Sequence, residues 1–136
     1  MLEGKSILVV DDDLTLAEMY EICFKEAGAV VSVAHDGDEA IKLVEANKPS
    51  AILLDILMPK FNGLEVLKVL KENSETRDIP VVVLTVLLEN DKYEKAKALG
   101  AEGYLIKSET MPIDVVAKIS ELLSKKDGIT EGAQQD

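Results

Sequence analysis

Ile7-Leu8-Val9-Val10-Asp11-Asp12-Asp13 is an apolar run that stops on three carboxylates. The pattern recurs down the chain: Ala51-Ile52-Leu53-Leu54 runs into Asp55, Val81-Val82-Val83-Leu84 into Thr85, and Tyr104-Leu105-Ile106 into Lys107. A continuous apolar run of this length reads as a strand buried on both faces, and such strands lie side by side in parallel sheets covered by helices. Parallel strands present their carboxyl ends along one edge, where open α/β sheets bind ligands. Residues remote in sequence therefore converge there as several acids, one alcohol and one ammonium. That set suits a cation and a phosphoryl group.

Strand-like and helix-like segments alternate five times, the arrangement of a doubly wound α/β domain. The pattern predicts strands near 6–10, 30–34, 51–55, 80–85 and 103–106. Helices are expected near 14–27, 37–47, 64–73, 90–99 and 112–125, where apolar residues recur three or four apart. Gly28, Asn73 and Gly100 read as helix stops, Pro49 and Pro80 as the approach to a strand, and Asp36 and Ser108-Glu109-Thr110 as helix starts. One domain is expected over residues 1–125, with residues 126–136 as a mobile, nearly apolar-free tail.

Fifteen basic against 26 acidic residues give a net charge of −11, which disfavours a nucleic-acid or anionic-membrane surface and favours proteins and cations as partners. The single cysteine, Cys23, lies among Leu16, Tyr20 and Phe24 at helical spacing and reads as a small buried hydrophobe. It allows no intrachain disulfide, so a reducing cytoplasm is the expected compartment. No signal-peptide pattern or membrane-length apolar run is seen. His35, without a companion ligand, reads as a surface residue.

Carboxylates at the ends of the first and third strands repel one another unless a cation lies between them. Mg²⁺ fits: it prefers oxygen ligands, takes one or two carboxylates from a protein, and accepts phosphate oxygens besides. Neutralising the acids lets an anionic phosphoryl group approach a carboxylate nucleophile. Thr85 is placed to donate a hydrogen bond to a phosphoryl oxygen, and Lys107 to pair with its charge. Asp13 reads mainly as a helix cap.

The chain resembles the receiver domains of two-component response regulators over about residues 4–125. The matching segments are 7–13, the stretch Leu53-Leu54-Asp55-Ile56-Leu57-Met58-Pro59-Lys60-Phe61-Asn62-Gly63, Val83-Leu84-Thr85, and Gly103-Tyr104-Leu105-Ile106-Lys107. Separations of 44, 30 and 22 residues link Asp11, Asp55, Thr85 and Lys107 in the family's order. The resemblance implies a flavodoxin-like fold, five parallel strands in the order 2-1-3-4-5 with five helices. It implies Asp55 as phosphoacceptor, supplied by a sensor histidine kinase or phosphotransfer protein. Asp12 and Asp55 would ligate Mg²⁺ with the backbone carbonyl of Leu57, and Asp11 would hold a metal-bound water. Thr85 and Tyr104 would act as the switch pair and Lys107 as the mobile ion-pair partner. The readout would be a shift between two packings of the face formed by the fourth helix, fifth strand and fifth helix, passed to a protein target.

Three departures bear on mechanism. Val86 stands where the family commonly has a small residue, and Leu57 and Leu87 are apolar where many relatives carry water-orienting polar groups, which predicts a long-lived acyl phosphate. Ser108 replaces a proline that many relatives join through a cis bond, so the loop after Lys107 either keeps that bond or takes another path. Two rival readings are a receiver that binds proteins without phosphorylation and a haloacid-dehalogenase-like phosphatase. The latter would use Asp11 as nucleophile and Asp13 as acid in Asp11-Asp12-Asp13-Leu14-Thr15, but needs a later acidic strand and a cap.

Overall fold

The computed structural model describes residues 1–58, 62–86 and 90–126. The element order is β1 (Ser6–Val10), α1 (Leu14–Glu26), β2 (Val30–Ala34), α2 (Gly37–Asn47), β3 (Ala51–Leu54), α3 (Gly63–Glu72), β4 (Val81–Thr85), α4 (Asn90–Leu99), β5 (Gly103–Ile106), a 3₁₀ turn (Lys107–Glu109) and α5 (Pro112–Lys126). All neighbouring strands pair in parallel, in the order β2-β1-β3-β4-β5. This is the expected doubly wound sheet.

Alternate residues of each strand feed two cores. Leu8, Val10, Ile52, Leu54, Val81 and Val83 point to the side covered by α2, α3 and α4. Ile7, Val9, Leu53, Val82 and Leu84 point to the side covered by α1 and α5, where Tyr20, Phe24, Val115, Ile119 and Leu123 meet them. Burial on both faces is why these strands read as unbroken apolar runs.

The ends follow local chemistry. Asp13 caps α1, its carboxylate accepting from Leu16 N–H at 3.1 Å, and Asp36 caps α2 through Glu39 N–H at 2.9 Å. Gly28 and Gly100 leave their helices at φ of +100° and +104°, as their glycines anticipate. Helix α2 instead closes on Lys48 in the left-handed region at φ 44°, just before Pro49. Strand β4 begins at Val81 rather than Pro80, since proline has no N–H for the ladder. Lys126, expected in the tail, is the last residue of α5, and its Nζ donates to the Asp78 carbonyl at 2.8 Å. The rest of that tail, 127–136, lies outside the described residues, as do Pro59, Lys60, Phe61, Leu87, Leu88 and Glu89.

Candidate phosphoacceptor site

The sheet ladder itself delivers the acids to its carboxyl edge. Asp11 N–H donates to the Ala34 carbonyl and Asp55 N–H to the Val10 carbonyl, each at 3.0 Å, one residue beyond the regular strands. Asp55, expected as the last residue of its strand, stands just past it. Thr85 closes β4 opposite Ile106, which puts Lys107 one step further along the same edge.

The side chains then meet. Asp11, Asp12 and Asp55 each offer a carboxylate oxygen within 4.8 Å of the others. Asp11 and Asp55 are 2% and 5% exposed, whereas Asp12 faces solvent. Lys107 Nζ bridges the buried pair, 2.9 Å from Asp11 Oδ2 and 3.4 Å from Asp55 Oδ2. Asp11 Oδ1 accepts from Asp13 N–H at 2.9 Å, and Asp55 Oδ1 from Leu57 N–H at 3.0 Å. Backbone donors thus fix one oxygen of each acid and the lysine holds the other.

Burial pushes the Asp55 carboxyl up to about 6, although the Leu57 N–H and the Lys107 charge pull it down, while the Asp11 charge adds to the rise. Burial acts against the Lys107 ammonium, but its hydrogen bond to Asp11 and the two carboxylate charges prevail and hold it above the ordinary lysine value. An all-oxygen donor set of three crowded acids, two of them buried, fits a hard divalent cation such as Mg²⁺.

Lys107 reaches this position although the loop after β5 departs from the proline-bearing path. The described peptide bonds are all trans, Lys107–Ser108 included, and the chain turns through Lys107–Glu109. Thr85 is fully buried. Tyr104 lies two residues before Ile106, on the same sheet face as Thr85 but outside the acid pocket. It packs edge to face on Tyr93 of α4 with ring centroids 5.2 Å apart. Val86, just past the threonine, is 55% exposed. Leu57 is half-buried beside Asp55, and Cys23 is half-buried rather than buried. His35 is exposed, as expected, with Nδ1 3.2 Å from the Asp11 carbonyl.

Two residues gained importance only from the fold. A Cβ on Gly63 would sit 2.4 Å from Ile56 Cα and 2.5 Å from the Asp55 carbonyl oxygen, so only glycine lets α3 start against the backbone that carries Asp55. Its place in the matching loop segment was the available signal. Tyr93 had none, lying among the charged residues of 91–97.

The response regulator receiver domain family matches residues 7–120. The chain belongs to this family, and the dehalogenase-like reading falls with that membership. Among curated relatives, the DNA-binding response regulator MtrA of Mycobacterium leprae is 35% identical over 121 residues, covering 89% of this chain and 52% of the relative. The chain thus spans about half the length of the curated relatives it matches. Among solved structures, the receiver domain of Francisella response regulator 1452 superposes with a TM-score of 0.82 at 28% identity, covering 90% of this chain and 99% of that one. The Vibrio cholerae chemotaxis protein CheY4 gives 0.80 at 28% identity, with coverages of 86% and 97%. Among the described residues no helix is long and apolar enough to cross a membrane.

Proposed function

We propose that Asp55 accepts a phosphoryl group from the phosphohistidine of a sensor kinase or phosphotransfer protein, and that this shifts the α4-β5-α5 face toward a form read by a protein target. The observation that carries the reading is the Lys107 bridge between Asp11 and Asp55. It places a positive charge beside a buried carboxylate at the sheet edge, where a transferred phosphoryl group would need one.

Leu57 N–H holds Asp55 Oδ1, leaving Oδ2 to bond to phosphorus. The phosphorus–nitrogen bond of the donor breaks as this bond forms, and the departing imidazole nitrogen keeps the electron pair and takes up a proton. Asp11, Asp12, Asp55 and the Leu57 carbonyl would hold Mg²⁺, which supplies charge neutralisation between acids and phosphoryl oxygens. Lys107 then pairs with the phosphoryl oxygens, and the Thr85 hydroxyl donates to another. Tyr104, on the face shared with Thr85, follows into the space that hydroxyl leaves. The apolar Leu57 and Leu87 orient no water and the branched Val86 hinders its entry, so the acyl phosphate is long-lived. The protein acts as a signalling module in the cytoplasm, its only chemistry being its own phosphorylation and dephosphorylation.

Intact mass after incubation with Mg²⁺ and a small acyl-phosphate donor tests this. The wild type gains one phosphoryl group; Asp55→Asn and a metal-free sample do not. A gain that survives Asp55→Asn defeats the assignment. No gain with any donor, cognate kinases included, supports a binding module that works without phosphorylation.

A further inference from the structure

Asp12 is held differently from the other two acids. Asp11 and Asp55 each have one oxygen on a backbone N–H and the other on Lys107. The Asp12 carboxylate is exposed and makes no hydrogen bond or ion pair among the described residues. Its direction therefore depends on the peptide from which it projects. The carbonyl of that peptide belongs to Asp11, and His35 Nδ1 lies 3.2 Å from it.

A carbonyl oxygen only accepts, so the ring carries its hydrogen on Nδ1, and the bond persists whether the imidazole is neutral or protonated. His35 is itself fixed. Its N–H donates to Glu39 Oε1 at 2.8 Å, and Glu39 N–H donates to Asp36 Oδ1 at 2.9 Å, so α2 braces the residue from behind. One position earlier, the Ala34 carbonyl accepts from Asp11 N–H at 3.0 Å. Asp11 is thus tied to the end of β2 through both its N–H and its C=O. The first tie continues the sheet ladder and needs no particular side chain. The second is made by an exposed ring that belongs to neither core, and what it adds is control of a peptide plane at the rim of the acid pocket.

We propose that His35 is a positioning residue for the metal site: its Nδ1–H bond to the Asp11 carbonyl fixes the peptide from which Asp12 projects and so sets how tightly the three acids hold Mg²⁺. The inference rests on the reading of Asp11, Asp12 and Asp55 as the cation site and adds to it a residue that touches no ligand oxygen. Partners one shell outside a metal orient its ligands, and their loss weakens the ion rather than the fold. An exposed carboxylate on an untethered peptide has more orientations to give up when the cation binds, and that entropy is subtracted from the affinity. A histidine that merely stiffened the turn would instead stabilise the protein by the same amount with and without Mg²⁺.

The test compares the full-length wild type, His35→Ala and His35→Asn, the last keeping an N–H donor close to the place of Nδ1. Tm is read against Mg²⁺ concentration, and phosphoryl uptake from a small acyl-phosphate donor is followed by intact mass at low and high Mg²⁺. His35→Ala is expected to need about tenfold more Mg²⁺ for the same rise in Tm, and His35→Asn to stay within about twofold of wild type. The uptake deficit of His35→Ala should shrink as Mg²⁺ is raised. A His35→Ala protein with the Mg²⁺ dependence of the wild type, even one with a lower metal-free Tm, shows a merely structural histidine and overturns the proposal. So does a His35→Asn protein no better than His35→Ala. A wild type whose Tm ignores Mg²⁺ overturns the proposal together with the metal site. If the Mg²⁺ dependence shifts as expected while no form of the chain takes up a phosphoryl group, the role of His35 stands and only the phosphorylation reading fails.

Discussion

Helices α3 and α4 are both ten residues long and cover the same face of the sheet, yet they are held in opposite ways. Gly63, Leu64, Val66, Leu67 and Leu70 of α3 are buried, whereas among the described side chains of α4 only Ala96 is. Helix α4 is attached instead by the Tyr93–Tyr104 contact and, just past its end, by the Lys71–Glu102 pair, which joins α3 to the turn before β5. A helix that buries little apolar surface costs little to move. On the proposed reading, scaffold and switch are separated within one layer: α3 starts against the backbone that carries Asp55, and α4, which buries less, is the helix expected to respond to Tyr104.

The largest expected effect tests that separation directly. Leu67→Ala should destabilise the fold by about 3 kcal/mol in urea unfolding, and Tyr93→Ala by only about 1 kcal/mol. Equal losses would show that α4 is packed as firmly as α3.

Next comes Asp55, on the scaffold side of the divide. Its carboxyl titrates at about 6 in the fold against an ordinary value of 3.8, so the folded chain binds this proton more tightly than the unfolded one. The corresponding stability is fully present below about pH 4 and is lost as pH rises through about 6. Asp55→Asn removes the buried charge, keeps an acceptor for Leu57 N–H, and leaves Lys107 its bond to Asp11. It should stabilise the protein by on the order of 2 kcal/mol at pH 7 and flatten the stability profile between those pH values. A variant less stable than wild type at pH 7 would show that the carboxylate is held favourably.

A smaller effect concerns the cation. Mg²⁺ at ten times its dissociation constant should add about 1.4 kcal/mol to wild-type stability, read as a rise in Tm, and markedly less to Asp12→Asn. An equal rise in both would place the ion elsewhere. Smallest of all, Lys25→Ala removes an exposed pair with Glu21 on α1, outside both scaffold and switch. The change should stay within about 0.5 kcal/mol.

The scaffold was more legible in the sequence than the switch. Strands buried on both faces announce themselves as apolar runs, and the polar residues that end them mark the sheet edge, so Asp11, Asp55, Thr85 and Lys107 were visible with their order. Asp36, Gly28 and Gly100 marked helix ends through side-chain chemistry and backbone freedom. Contacts set by packing between distant segments were not visible. Nothing in the spacing of Tyr93 and Tyr104 shows that their rings meet, nor that Glu102 turns inward to Lys71. The path after Lys107 was open as well, because Ser108 permits what a proline would have constrained.

Hydrogen exchange across the chain, before and after acyl-phosphate treatment with the phosphoryl gain verified by mass, reads the mobility of α3 and α4 separately. Exchange is expected to change in α4 and β5, residues 90–106, while α3, residues 63–72, keeps its protection. A fully phosphorylated protein whose α4 and β5 exchange unchanged, or whose α3 changes as much as α4, would contradict the division into scaffold and switch.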